Sequence, residues 1–230
     1  MRDMIPPTEL LSEPLPAEPL LQAHDWLAEA WRRRPQGNPN AMTLATCTAD
    51  GLPSARIVLC KDIVPRPGYV VFYTNYHSRK GRELDANPRA AAVLHWDELR
   101  RQVRIEGIVD NAPAADSDAY FASRALESRI GAWASAQSEP VASREQLLAA
   151  VADAARRFGI AASDAAVADG QGLVPRPPHW GGYRLWAESV ELWVEGAARI
   201  HDRARWSREL VRESSGRIST GPWSVTRLQP

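Results

Sequence analysis

Arginine and histidine recur at every second position of ARIHDRARW, residues 198–206, which places Arg199, His201, Arg203 and Arg205 in one series. Alternate side chains of a β-strand share a face, so the spacing predicts a cationic row with Ile200, Asp202 and Ala204 opposite it. Such a row is either a solvated edge whose charges discourage strand pairing or one wall of an anion site. Two more clusters bear on the choice. In SARIVLCK, Arg56 and Lys61 bracket an apolar strand, where each can also simply reach water from a strand end. In NYHSRKGREL, Ser78 is placed to cap a helix whose first turn holds Arg79 and Lys80. The positive end of a helix dipole disfavours cations unless an anion sits over the same N-terminus, so this feature points to phosphate.

Other groups are weaker taken singly. Gln102, Arg104 and Glu106 alternate with Val103 and Ile105, the pattern of a half-buried strand. Tyr120, Arg124 and Ser128 fall at i, i+4 and i+8, a single polar stripe if the stretch is helical. Signatures of Rossmann, P-loop, α/β-hydrolase and zincin sites are missing. His24, His77, His95, His179 and His201 lack metal-ligand spacing, and the tryptophans read as core, Trp193 excepted.

The elements that must hold these residues follow from period and punctuation. Pro19 suits a first helical position, and Leu20, Ala23, Trp26, Leu27, Ala30 and Trp31 recur at helical spacing. AMTLATCTADGLPSARIVLCK reads as two β-rich runs around an Asp50-Gly51 turn, followed by GYVVFYTNY; RAAAVLHW and RQVRIEGIV form two more, joined by DELR. A helical stretch is predicted over 113–135 and a second from Ser143, capped with Gln146, lined by Leu147, Leu148, Val151, Ala155 and Phe158, and stopped by Gly159. Residues 159–179 read as a long loop. GGYRLWAES, VELWVEG, ARIHDRARW and PWSVTRL supply late strands, with 207–221 a solvated hairpin. The prediction is an α+β fold: one domain over 18–230, built on an antiparallel barrel with peripheral helices, behind a flexible arm at 1–17.

Composition narrows the partners. Lysine plus arginine equals aspartate plus glutamate at 28 each, so no global field draws the chain to nucleic acid or to a membrane, and an anion must be held by a local cluster. Two cysteines, Cys47 and Cys60, build no disulfide framework and point to a reducing compartment. The acidic, proline-broken start and the lack of any span of about 18 apolar residues lead us to expect a soluble, cytoplasmic protein.

RIVLCK, VFYTNYHSRKGREL, RQVRIEG, SDAYFASR, IGAWASAQS, VPRPPHWGGYRL, ELW and RIHDR, in this order, resemble the blocks of the pyridoxamine/pyridoxine 5'-phosphate oxidase family, flavoproteins of the split-barrel fold. The resemblance runs from about residue 18 to the C-terminal RLQP. It implies a homodimer with FMN in a cleft shared between subunits, and oxidation of pyridoxine or pyridoxamine 5'-phosphate to pyridoxal 5'-phosphate, with O2 as acceptor and H2O2 as product. Matched residue by residue, it implies FMN contacts from Arg56, Ile57, Val58, Leu59, Tyr73, Thr74, Arg79, Lys80, Gln102, Gln137, Ser138, Trp193 and Arg203. It places substrate contacts at Lys61, Tyr120, Arg124, Ser128, Arg199 and His201, the last two over the reacting ring as catalytic groups. Two phosphates in one cleft require charge-assisted hydrogen bonds, which gives the cationic clusters a partner. Two alternatives stay open: a phenazine-biosynthesis type of flavin oxidase, whose members tend to lose that substrate set, and a non-catalytic binder of FMN or pyridoxal phosphate.

Overall fold

The computed structural model describes residues 9–160 and 174–230. Helix α1 (Pro19–Arg33) starts with proline at its first turn and turns Leu20, Ala23, Trp26, Leu27 and Ala30 into the core. It ends where Arg34 enters the left-handed region, φ 48°, and donates its N–H to the Ala30 carbonyl. Strands β1 (Ala41–Cys47) and β2 (Pro53–Leu59) form the hairpin expected around Asp50-Gly51. β3 (Asp62–Val64) and β4 (Tyr69–Asn75) lead to α2 (Arg79–Ala86), then β5 (Arg89–Trp96) and β6 (Arg101–Asn111).

Three helices follow: α3 (Ala114–Ala122), α4 (Leu126–Ala134) and α5 (Arg144–Arg157). The single helix expected over 113–135 is therefore two, broken at Ser123–Ala125, and the stripe of Tyr120, Arg124 and Ser128 is not on one helix. Tertiary contact decides the break: the Arg124 guanidinium lies 4.8 Å from the Trp180 ring and 5.5 Å from that of Phe121. Helix α5 keeps its cap, with the Gln146 N–H donating to Ser143 Oγ at 3.1 Å, and stops at Gly159, φ 68°. Its expected apolar face is only partly used: Val151, Ala155 and Phe158 pack inward while Leu147 and Leu148 are exposed.

β7 (Trp180–Val194) merges the two late strands predicted at GGYRLWAES and VELWVEG. One edge of β7 pairs β6 along its length; the other pairs β4 over its first half and β8 (Asp202–Ser207) over its second. β9 (Leu210–Arg212) and β10 (Ile218–Thr220) form the expected hairpin, and β11 (Ser224–Arg227) pairs β8. The sheet order is β11-β8-β7-β6-β5-β1-β2, with β4 branching from β7 and β3 from β4. The sheet thus curls until β2 and β4 lie side by side without pairing, the α+β split barrel expected. Its interior holds Met42, Leu44, Phe72, Leu94, Ile105, Leu185 and Leu192, all nearly inaccessible, with α1 packed on the same core. A second cluster under α3, α4 and α5 includes Phe121, Ile130 and Trp180.

Residues 9–17 are docked instead of free: Leu11 is buried, its N–H donates to Asp202 Oδ2 at 2.8 Å, and the Pro16 carbonyl accepts from Trp206 Nε1 at 2.8 Å. Residues 1–8, and 161–173 of the expected loop, lie outside the described residues. Among the described residues no helix is long and apolar enough to cross a membrane, and no group of His, Cys, Asp or Glu is arranged to hold a metal ion.

Candidate active site

The split between β2 and β4 opens into a cavity of about 970 Å³, at the upper end of the range for small-molecule sites. β2 supplies Arg56, Ile57, Val58 and Leu59; β4 supplies Tyr73 and Thr74; the start of α2 supplies Arg79 and Lys80. Lys61 enters from the β2–β3 link, Tyr120 from α3, Arg124 from the break between α3 and α4, Ser128 from α4, and Gln137 and Ser138 from the turn beyond α4.

One end of the cavity is cationic and built in advance. Ser78 caps α2, accepting from the Gly81 N–H, and Lys80 bends back over this turn. Lys80 Nζ donates to Gln137 Oε1 at 2.7 Å and to Thr74 Oγ1 and Ser78 Oγ at 3.0 Å each. Thr74 Oγ1 also donates to Gln137 Oε1, so one amide ties the turn beyond α4 to β4 and α2. Ser138, next in the chain, sits at φ 75°, a conformation uncommon outside glycine and one that clusters at functional sites.

Lys80 predicts a pH dependence. Burial first, and the Arg56 charge second, push its ammonium down to about 8 against an upward pull from Glu83. A bound phosphate favours the charged form and raises that pKa. Affinity for inorganic phosphate or a phosphate ester is therefore full below pH 8 and falls as pH rises through it, by up to about tenfold per unit. Calorimetric titration from about pH 7 to about 9.5 checks this, and a flat profile would place Lys80 away from the anion.

The other end is aromatic and holds a second set of cations. Tyr73 stacks on Tyr120 with ring centres 4.1 Å apart and on Trp180 at 5.5 Å; Lys61 Nζ lies 5.4 Å from the Tyr120 ring centre. The stack needs Gly182, where a Cβ would fall 2.8 Å from Tyr73 Cε1. Arg124 Nη1 is buried with no hydrogen-bond partner among the described residues, and burial lowers the pKa of this side chain. A buried guanidinium nitrogen with no hydrogen-bond partner on a cavity wall is suited to an anion supplied from outside. Cys60 is no nucleophile here, since burial pushes its thiol up to about 12.

The remaining predicted residues lie elsewhere. Gln102, Trp193 and Arg203 are register partners across β6, β7 and β8, a row at one end of the sheet and away from the cavity lining. Arg203 donates to Glu191 at 2.9 Å and to the Gln229 carbonyl at 2.9 Å. The His201 ring lies 4.7 Å from Trp193, and its Nδ1 accepts from the Gly196 N–H at 3.3 Å, so neutral His201 carries its proton on Nε2. Arg199 is not on a strand face: β8 begins only at Asp202, Ala197–Arg199 is a 3-10 turn, and Ala198 and Arg199 have φ of 53° and 64°. The turn is tight enough that a Cβ on Gly196 would meet the Ile200 carbonyl at 1.7 Å. The alternating row expected over 198–206 is thus reduced to Arg203 and Arg205, with Arg199 and His201 presented by a turn.

Sequence reasoning missed Glu83. It is 4% exposed, and Oε2 accepts from Thr46 at 2.5 Å, Ser54 at 2.6 Å and Arg56 at 3.3 Å, while Oε1 accepts from Arg79 at 2.8 Å. Burial would raise this carboxyl, but hydrogen bonds from Ser54, Thr46 and Arg79 and the charge of Arg56 bring it down to about 2. The available signal was the i, i+4 spacing of Arg79 and Glu83 on a helix already marked as cationic.

Residues 27–157 match the family described as "Pyridoxamine 5'-phosphate oxidase", and residues 180–230 match "Pyridoxine 5'-phosphate oxidase C-terminal dimerisation region". The chain is 48% identical over 223 residues to the pyridoxine/pyridoxamine 5'-phosphate oxidase of Paracoccus denitrificans, covering 93% of this chain and 95% of that protein. It is 44% identical over 230 residues to the enzyme of that name from Caulobacter vibrioides, covering 100% and 91%. Among solved structures, PhzG from Burkholderia lata 383 in complex with tetrahydrophenazine-1-carboxylic acid superposes with a TM-score of 0.76 at 32% identity, covering 94% of each chain. An FMN-binding protein from Nostoc punctiforme shares the fold, with a TM-score of 0.62 at 14% identity over 89% of this chain and 95% of that one.

Proposed function

The chain belongs to the pyridoxamine 5'-phosphate oxidase family, and from that premise we propose that it binds FMN in the split of the barrel and oxidises pyridoxine or pyridoxamine 5'-phosphate to pyridoxal 5'-phosphate, with O2 as acceptor and H2O2 as product. The observation that carries this reading is a single cavity lined by two groups of cations, Arg56, Arg79 and Lys80 in the network of Glu83, Thr74 and Gln137, and Lys61 and Arg124 against the Tyr120 and Trp180 rings. Two phosphates of about −2 charge each would otherwise be costly to bury together.

The donor set fits the cofactor. Arg56, Arg79 and Lys80 would hold the flavin phosphate, with Thr74, Gln137 and Ser138 beside it and Tyr73 and β2 residues 57–59 along the rest. Bound FMN supplies the two-electron acceptor, and the chain supplies binding, orientation and charge. Lys61, Tyr120, Arg124 and Ser128 hold the substrate phosphate and so fix where its ring lies. Gln102, Trp193, Arg199, His201 and Arg203 complete the site from the second subunit of a homodimer. There Arg199 favours negative charge on the phenolic oxygen of the substrate, and His201 donates a hydrogen bond from Nε2.

PhzG raises a second reading, a flavin oxidase acting on a carboxylated tricyclic ring. Such a substrate leaves the buried Nη1 of Arg124 and the Lys61, Tyr120 and Ser128 donors without a phosphate ester to bind, so the vitamer reading is preferred. The purified protein is expected to be yellow, and pyridoxine 5'-phosphate without oxygen is expected to bleach it. A protein that takes up no FMN would overturn the reading; a flavin bleached only by the carboxylated tricycle would favour the second.

A further inference from the structure

Glu83 contacts no cavity space, yet it touches both arginines of the proposed flavin-phosphate end. Its Oε1 holds Arg79 one helical turn away; its Oε2 receives Thr46 and Ser54, whose hydroxyls in turn accept from the two terminal nitrogens of Arg56. Arg56 also reaches Oε2 directly at 3.3 Å. These bonds span β1, β2 and α2, so one carboxylate fixes the relative position of three elements at the cavity wall.

We infer that Glu83 is a positioning residue for flavin phosphate: it sets the two guanidinium groups before the anion arrives and brings the net charge of that end to match it. This rests on the proposed function. Arg56, Arg79 and Lys80 together with one carboxylate carry about two positive charges, the complement of a phosphate monoester at neutral pH. Without the carboxylate, Arg56 and Arg79 repel each other and lose their shared acceptor, and both must be ordered when the phosphate binds.

The test compares FMN with riboflavin, which is the same ring system without the phosphate. Flavin fluorescence quenching gives the Kd of each for wild-type apoprotein, Glu83→Ala and Glu83→Gln. Glu83→Ala is expected to weaken FMN by about ten- to hundredfold, the scale of losing charge-assisted hydrogen bonds, and to leave riboflavin unchanged. Glu83→Gln, which keeps an acceptor oxygen, is expected to recover part of the loss and stands in if the alanine variant does not fold. Equal weakening of both ligands would make Glu83 a packing residue and overturn the inference, as would unchanged or tighter FMN binding. Wild-type protein that fails to bind FMN would instead refute the parent reading.

Discussion

Arg199→Ala is expected to lower turnover of pyridoxine 5'-phosphate by roughly 10²- to 10³-fold, the usual cost of removing one donor aimed at developing charge, while the protein stays yellow. The geometry separates the two effects. Arg199 is exposed on a turn outside the cavity that would hold the flavin, and among the described residues it makes no ion pair. Arg203, four residues on, is held by Glu191 and the Gln229 carbonyl and faces the same side of the sheet as Trp193. The loss is expected in kcat, with a smaller change in KM, because the proposed phosphate ligands Lys61 and Arg124 are left intact. Stopped-flow reduction without oxygen measures the step directly. A colourless variant would move Arg199 to the cofactor side, and an unchanged rate would remove it from the chemistry.

The contrast between Arg199 and Arg203 also marks what could be read from the sequence. Alternation over 198–206 located the cations but not the backbone, because the two successive left-handed residues Ala198 and Arg199 carry no glycine or asparagine to announce them. Around Ser78 local chemistry was sufficient for the geometry: the capping hydroxyl and the first-turn cations Arg79 and Lys80 fall where their spacing put them, with little help from the rest of the fold. The late strands GGYRLWAES and VELWVEG are one element, β7, because pairing with β6 continues through a bulge at Glu106/Gly107. Glu83 was legible only as an i, i+4 partner of Arg79, for a different reason. Its partners Thr46 and Ser54 are ordinary strand residues in sequence, and only the packing of α2 on β1 turns them into a buried carboxylate site.

A heterodimer that carries Arg124→Ala in one subunit and Arg199→Ala in the other is expected to keep about half the wild-type activity, although each variant is nearly inactive as a homodimer. Val58, Met42, Leu94, Val103, Leu192 and Ala204 are successive register partners, and their side chains point into the barrel. One residue along each strand the direction reverses, so Ile57, Leu59, Gln102, Trp193 and Arg203 all face outward from one sheet. β2 and β8 lie five strand spacings apart on it, roughly 24 Å along the sheet. Ile57 is 63% exposed and Leu59 36%, an apolar surface at the mouth of the cavity. A two-fold axis through that outer face would lay the β2 edge of one copy against the β8 row of the other, and would do so twice. The residues matched to a dimerisation region, 180–230, include Trp193 and Arg203 of the row and Arg199 and His201 beside it. In the mixed dimer one site then pairs both lesions and the other pairs the intact cavity with the intact row. If each site were built within one chain, both would be broken, and a doubly tagged heterodimer would be as inactive as its parents.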